Sequence, residues 1–177
     1  MNQKQDFFND FAMCIKNLKK SVYLIARGRP IKIQDQERTT WITLGTGFLA
    51  APNRMITCAH VIDHPQKGEF YQHKDGDKYY LIRNDGDKFH YCGVELKLNI
   101  DIFFDHAFDI GIIYLPDFFY NNDVKKNDFI KIADEVFPIG SEIGILGYPM
   151  CGLTFEDENF LKPQIDKILL DKATFFL

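Results

Sequence analysis

Residues 45–61 read Gly45-Thr46-Gly47-Phe48-Leu49-Ala50-Ala51-Pro52-Asn53-Arg54-Met55-Ile56-Thr57-Cys58-Ala59-His60-Val61. The run 47–51 is small and apolar, Pro52-Asn53-Arg54 has turn chemistry, and 55–58 is rich in strand formers. The pattern predicts two strands joined by a tight turn, the second delivering His60 at its far end. Gly45 and Gly47 leave room for close backbone approach, and the apolar run 55–59 would hold the histidine rigidly. A histidine held this way at the edge of a sheet suits a general base. A structural histidine closing a strand is the plainer reading, and the rest of the chain has to decide between them.

Working outward, 21–27 is rich in β-formers and stops at Gly28-Arg29-Pro30, which predicts a first strand followed by a polar loop. Residues 39–44, 47–51 and 55–58 follow as separate strands. Two Asp-Gly-Asp-Lys phrases, within 74–78 and 84–88, flank the apolar run 79–82 and read as solvated turns of an antiparallel meander. Residues 94–103 and 110–115 complete about six or seven strands, 121–128 is a linker or exposed turn, and 141–148 opens a new β unit. Residues 6–20 place Phe7, Phe8, Phe11, Ile15 and Leu18 close to a helical period, which predicts a short amphipathic helix on the outside of the domain. Short strands with turns between them indicate an all-β barrel or sandwich.

Composition narrows the function classes. The chain has 177 residues, 46% hydrophobic and 26% charged, with 17 Phe to fill a core. A net charge of −4, with lysines scattered among aspartates, argues against nucleic acid or an anionic membrane as a partner. No run approaches the roughly 18 apolar residues of a membrane span. The charge-broken segment 1–20 does not read as a signal peptide, so a cytoplasmic location is expected. Cys14, Cys58, Cys92 and Cys151 lie far apart without CxxC spacing and are expected to be buried free thiols.

Asp109 is the second candidate. It directly precedes the apolar run Ile110-Gly111-Ile112-Ile113-Tyr114-Leu115, about fifty residues after His60. A carboxylate there can take a hydrogen bond from one ring nitrogen, fix the tautomer and stabilise the imidazolium formed in a reaction. Asp105 is a rival four residues earlier, less favoured because it does not abut the strand. Other signals are weaker. His60 and His64 have helical metal spacing, but Val61 stands where a metalloprotease needs Glu, so zinc is not expected. The Asp-Gly loops lack the glycine and glutamate positions of a calcium-binding EF-hand. His73, His90 and His106 have no partners legible by spacing and read as surface or structural.

These segments resemble the trypsin-like (chymotrypsin-fold) serine peptidases. That family shows Gly, Ser or Thr, Gly, Phe before a Thr-Ala-Ala-His phrase, and Cys58 here takes the place of a small residue. Its triad aspartate likewise precedes an apolar run, as Asp109 does. A third similarity is Gly140-Ser141-Glu142-Ile143-Gly144-Ile145-Leu146-Gly147-Tyr148-Pro149, like the phrase opening the second barrel in bacterial and organellar members. The resemblance implies a double β-barrel: 1–20 an N-terminal helix, 21–130 a first barrel carrying His60 and Asp109, and 131–177 an incomplete start of the second. It implies endopeptidase activity on polypeptide substrates through a Ser-His-Asp triad, with no cofactor or metal, and with further domains or a regulatory protein as partners.

The nucleophile is where the resemblance stops. Only Ser21 and Ser141 are present, and neither has the flanking glycines of an oxyanion hole. Cys151 comes too soon after Asp109 and reads as a loop or core thiol. The expectation is therefore the N-terminal part of a longer peptidase, inactive as given, its serine beyond Leu177. The alternative is a degenerate barrel serving as a protein-binding or scaffolding module.

Overall fold

In a computed structural model, residues 13, 17–33, 36–74, 76–85, 88–95, 101–115, 129–130, 147 and 154–155 are described. They are mostly β-strand. The strands are β1 (Val22–Ile33), β2 (Gln36–Ala51), β3 (Arg54–Thr57), β4 (Lys78–Asp85), β5 (Lys88–Glu95), β6 (Ile102–Asp105), β7 (Ile110–Tyr114) and β8 (Thr154–Phe155), with one helical turn, α1 (Ala59–Ile62). They form one eight-stranded antiparallel sheet in the order β5-β4-β1-β2-β3-β7-β6, with β8 branching from β2. The all-β class is as expected. The described path is open, and its two ends, β5 and β6, are consecutive in sequence.

Period-two patterning explains the core. Tyr23 and Ile25 of β1, Met55 of β3, Tyr79 and Leu81 of β4, Ile102 of β6 and Ile113 of β7 all face one buried cluster, joined by Ile42, Leu44 and Leu49 of β2. Each such side chain contributes about 1.5–3 kcal/mol when fully buried. Val61 and Ile62 of α1 dip into the same cluster. The turn after β3 is thereby pinned to the core on one side while its other side faces solvent.

Three expectations need correcting. Residues 39–44 and 47–51 are not separate strands, because β2 runs unbroken for 16 residues. The Gly45-Thr46-Gly47 punctuation is accommodated by a register slip, with Ile25 opposite Gly45 but Ala26 opposite Thr43. The first strand likewise does not end at Gly28-Arg29-Pro30; it runs to Ile33, and Ile31, Lys32 and Ile33 pair with Arg38, Glu37 and Gln36 in place of the expected polar loop. Pro30 is tolerated because β4 pairs with β1 only as far as Gly28, leaving that stretch one free edge. The first Asp-Gly phrase is not a solvated hairpin. Gly76 turns at φ +87°, but Asp77 is buried at 1% exposure between two arginines. On either side of the second phrase β4 and β5 pair antiparallel, with Asp85 opposite Lys88, while 86 and 87 lie outside the described residues.

Arg29 grips both carboxylate oxygens of Asp77, from Nε at 2.8 Å and a terminal nitrogen at 2.7 Å. Buried Arg27 lies 3.6 Å from the same carboxylate and donates to the carbonyls of Ile62 and Tyr71. This cluster ties the loop 63–77 and the end of α1 to β1. Of the expected helix 6–20, residues 13, 17 and 18 are helical and Lys19–Ser21 form a 3-10 turn, while the rest lies outside the described residues. So do the linker 121–128, the expected second-barrel segment 131–177 apart from 147 and 154–155, and Cys14, Ser141 and Cys151. Among the described residues, no helix is long and apolar enough to cross a membrane.

Candidate functional site

Strand register brings His60 and Asp109 together. β3 and β7 are antiparallel neighbours with Thr57 opposite Gly111. Chain leaving β3 and chain arriving at β7 therefore meet at the same rim of the sheet, residues 58–60 beside 108–110. The expected strand-end placement is refined at this point: β3 stops at Thr57, and His60 sits in α1, one helical turn closed by Asp63 N–H donating to the Ala59 carbonyl at 2.9 Å. Gly45 makes that turn possible, since a Cβ there would lie 2.7 Å from a methyl of Val61. Gly111 does the same for Ile62, whose terminal methyl would be 2.7 Å from a Cβ.

Asp109 is the last residue of the four-residue turn joining β6 to β7, where Asp105 pairs with Ile110. It has φ +52°, a left-handed conformation that costs a residue with a Cβ on the order of 1 kcal/mol. The turn is tied from its other side by Asp105, whose Oδ1 accepts the N–H groups of Ala107 at 2.7 Å and Phe108 at 3.3 Å. Asp105 thus caps the turn that presents Asp109.

The Asp109 carboxylate lies 2.8 and 2.9 Å from His60 Nδ1, and its Oδ1 also accepts the His60 backbone N–H at 3.0 Å. One carboxylate thus fixes both the backbone and the ring of the histidine. The backbone donation leads the effects holding the Asp109 carboxyl below its ordinary value; desolvation opposes it, and the His60 side chain and Cys58 thiol add to the lowering. With Nδ1 facing a carboxylate, a neutral ring carries its proton on Nδ1 and keeps Nε2 as the acceptor. The two side chains are 52% and 48% exposed, so the pair is open to solvent.

Sequence reading missed three neighbours. Cys58 is not a buried thiol; it is exposed, beside Asp109, and partial burial and the adjacent carboxylate push its thiol upward. A thiol held protonated in this way is a poor nucleophile. Its position two residues before His60 was the available signal. Asp63 and His106 were missed as a pair: His106 Nε2 lies 3.1 Å from Asp63 Oδ2, while Asp63 Oδ1 accepts the His73 N–H at 2.9 Å. Their spacing of 43 residues carries no local pattern. The His64 ring stands edge-on to His60 with centroids 5.8 Å apart, and the His73 ring bonds the buried Tyr79 hydroxyl. Ser21 is buried at the head of β1, at 2% exposure, and the His90 side chain lies outside what is described.

A scan of the chain against protein-family models finds no match, and a search of curated proteins finds none.

Proposed function

We propose that this chain supplies the histidine and aspartate of a trypsin-like serine endopeptidase, with His60 as general base and then general acid. The observation that carries the reading is the approach of both Asp109 carboxylate oxygens to His60 Nδ1 at 2.8 and 2.9 Å. In peptide hydrolysis, Nε2 takes the proton of an attacking serine hydroxyl and later returns it to the leaving amine. Asp109 stabilises the imidazolium in between and keeps the ring in the useful tautomer. The nucleophilic serine comes, on this reading, from a segment beyond Leu177, since Ser21 is buried in the 3-10 turn that precedes β1. Closure between β5 and β6, the sequence-adjacent ends of the sheet, would complete the barrel that the reading requires.

The test is active-serine labelling of the protein purified from its native source, with intact mass read in parallel. A fluorophosphonate adduct on a chain that includes residues 1–177, lost in a His60→Ala variant, is the expected result. Replacing one triad member should cut the labelling rate by several orders of magnitude. A protein that reacts equally well without His60 removes the assignment. One that never reacts redirects the fold to a binding module.

A further inference from the structure

Cys58 Sγ, a ring nitrogen of His60 and a carboxylate oxygen of Asp109 all lie within 4.8 Å of one another, and all three residues are exposed. We propose that these three side chains form a zinc site, and that zinc bound there shuts off the general-base form of His60. The site goes beyond the peptidase reading and rests on it only for what the metal would block.

The donor set is one that zinc favours: a thiolate, an imidazole and a carboxylate, with a fourth tetrahedral position open to water. The fold brings the three together without distortion of the sheet. β3 ends at Thr57, so Cys58 and His60 follow in two steps along the rim, and the left-handed turn residue Asp109 meets them from β7. The charges balance, since one divalent cation offsets the thiolate and the carboxylate.

Protons decide the consequence. The Cys58 thiol loses its proton to solvent as the sulfur binds, because a coordinating thiol is deprotonated by the metal. The neutral imidazole keeps its single proton but must vacate Nδ1 for the metal, so that proton moves to Nε2. Nε2 is the atom that would accept the serine proton. Zinc and general-base catalysis are thus mutually exclusive at His60.

The experiment is a Co2+ titration of the metal-free chain, followed by displacement with Zn2+, in wild type and Cys58→Ser. Cys58 is exposed, so the serine variant should fold, which circular dichroism checks. One metal per chain is expected, with a cobalt–thiolate charge-transfer band in the near ultraviolet. Cys58→Ser should lose the band and weaken zinc binding by about tenfold or more. Nitrogen-15 spectra of the His60 ring should show the proton passing from Nδ1 to Nε2 on zinc addition. Absence of the band at saturating Co2+, or a band and affinity that survive Cys58→Ser, overturns the proposal. Where labelled peptides are hydrolysed, zinc should slow wild type relative to its own metal-free rate, and Cys58→Ser should lose that response. A chain that binds zinc through Cys58 and hydrolyses nothing keeps the metal site and discards the peptidase reading.

Discussion

Replacing Asp77 by Ala should cost this fold more than any exposed substitution, for reasons that can be traced bond by bond. The carboxylate is 1% exposed and serves two cations: Arg29, held at 2.7 and 2.8 Å, and Arg27, itself 1% exposed, at 3.6 Å. It also accepts the Lys74 N–H at 2.9 Å, closing the turn that contains Gly76. Arg29 is partly exposed and can reach water once Asp77 is gone. Arg27 cannot; the Ile62 and Tyr71 carbonyls would still receive its N–H groups but would not neutralise its charge. Breaking a buried pair from one side costs roughly 3–5 kcal/mol. For a chain of this length that corresponds to a fall in Tm of roughly 6–20 °C. Thermal unfolding followed by circular dichroism reads it directly, and a urea titration with unchanged slope would assign the loss to stability rather than to compactness. Asp77→Asn restores the shape without the charge, so it should recover only part of the loss. An Asp77→Ala protein melting within about 2 °C of wild type would refute the argument, because Arg27 would then have found solvent or another anion.

Three further outcomes are expected. Gly45→Ala should destabilise by about 1–3 kcal/mol, because its Cβ would meet Val61 at 2.7 Å, and adding Val61→Ala should relieve part of that in a double-mutant cycle. The Asp109 carboxyl is held below its ordinary 3.8, so the contact it makes is in full effect above that value and is lost as pH falls through the lowered one. The side-chain carboxyl carbon-13 shift of Asp109 should therefore titrate with a midpoint below 3.8; a midpoint at or above that value would contradict the hydrogen bond. In an active full-length protein, Asp109→Asn should lower kcat by about 10⁴ through the wrong histidine tautomer, and Asp105→Asn, which disturbs only the turn, far less. Equal losses would mean that the cap and the partner had been confused.

Local periodicity made the strands legible, because apolar alternation around Tyr23, Met55, Tyr79 and Ile113 is a property of neighbouring residues. Interruptions were harder to read. Gly45-Thr46-Gly47 has the composition of a break, yet Thr57 donates its hydroxyl to the Thr46 carbonyl at 2.7 Å and the strand continues through a bulge. Asp77 misled for a related reason. Asp-Gly-Asp is turn chemistry, and the turn exists, but the fate of its last carboxylate was set by arginines about fifty residues upstream. At the rim, His60 and Asp109 were suggested by the strands each adjoins, while their contact depends on the register of β3 against β7. No pattern within either segment encodes that register. The exposure of Cys58 depends on the same rim geometry and was lost with it.

Two carboxylates of this chain, Asp77 and Asp109, make an instructive contrast. Asp77 is buried, doubly paired and sits where backbone geometry is permissive because a glycine precedes it. Its arrangement is accounted for by the stability it confers. Asp109 faces a half-exposed histidine, and exposed ion pairs contribute about 0–1 kcal/mol. Its left-handed backbone costs about as much. The pair therefore returns little or nothing to folding, while α1, Gly45, Gly111 and the Asp105 cap all act to hold it in one geometry. Structure maintained at no net gain in stability is what a site of chemistry requires. That imbalance supports the reading proposed for the rim at His60, where the exposed Cys58 also sits beside Asp109.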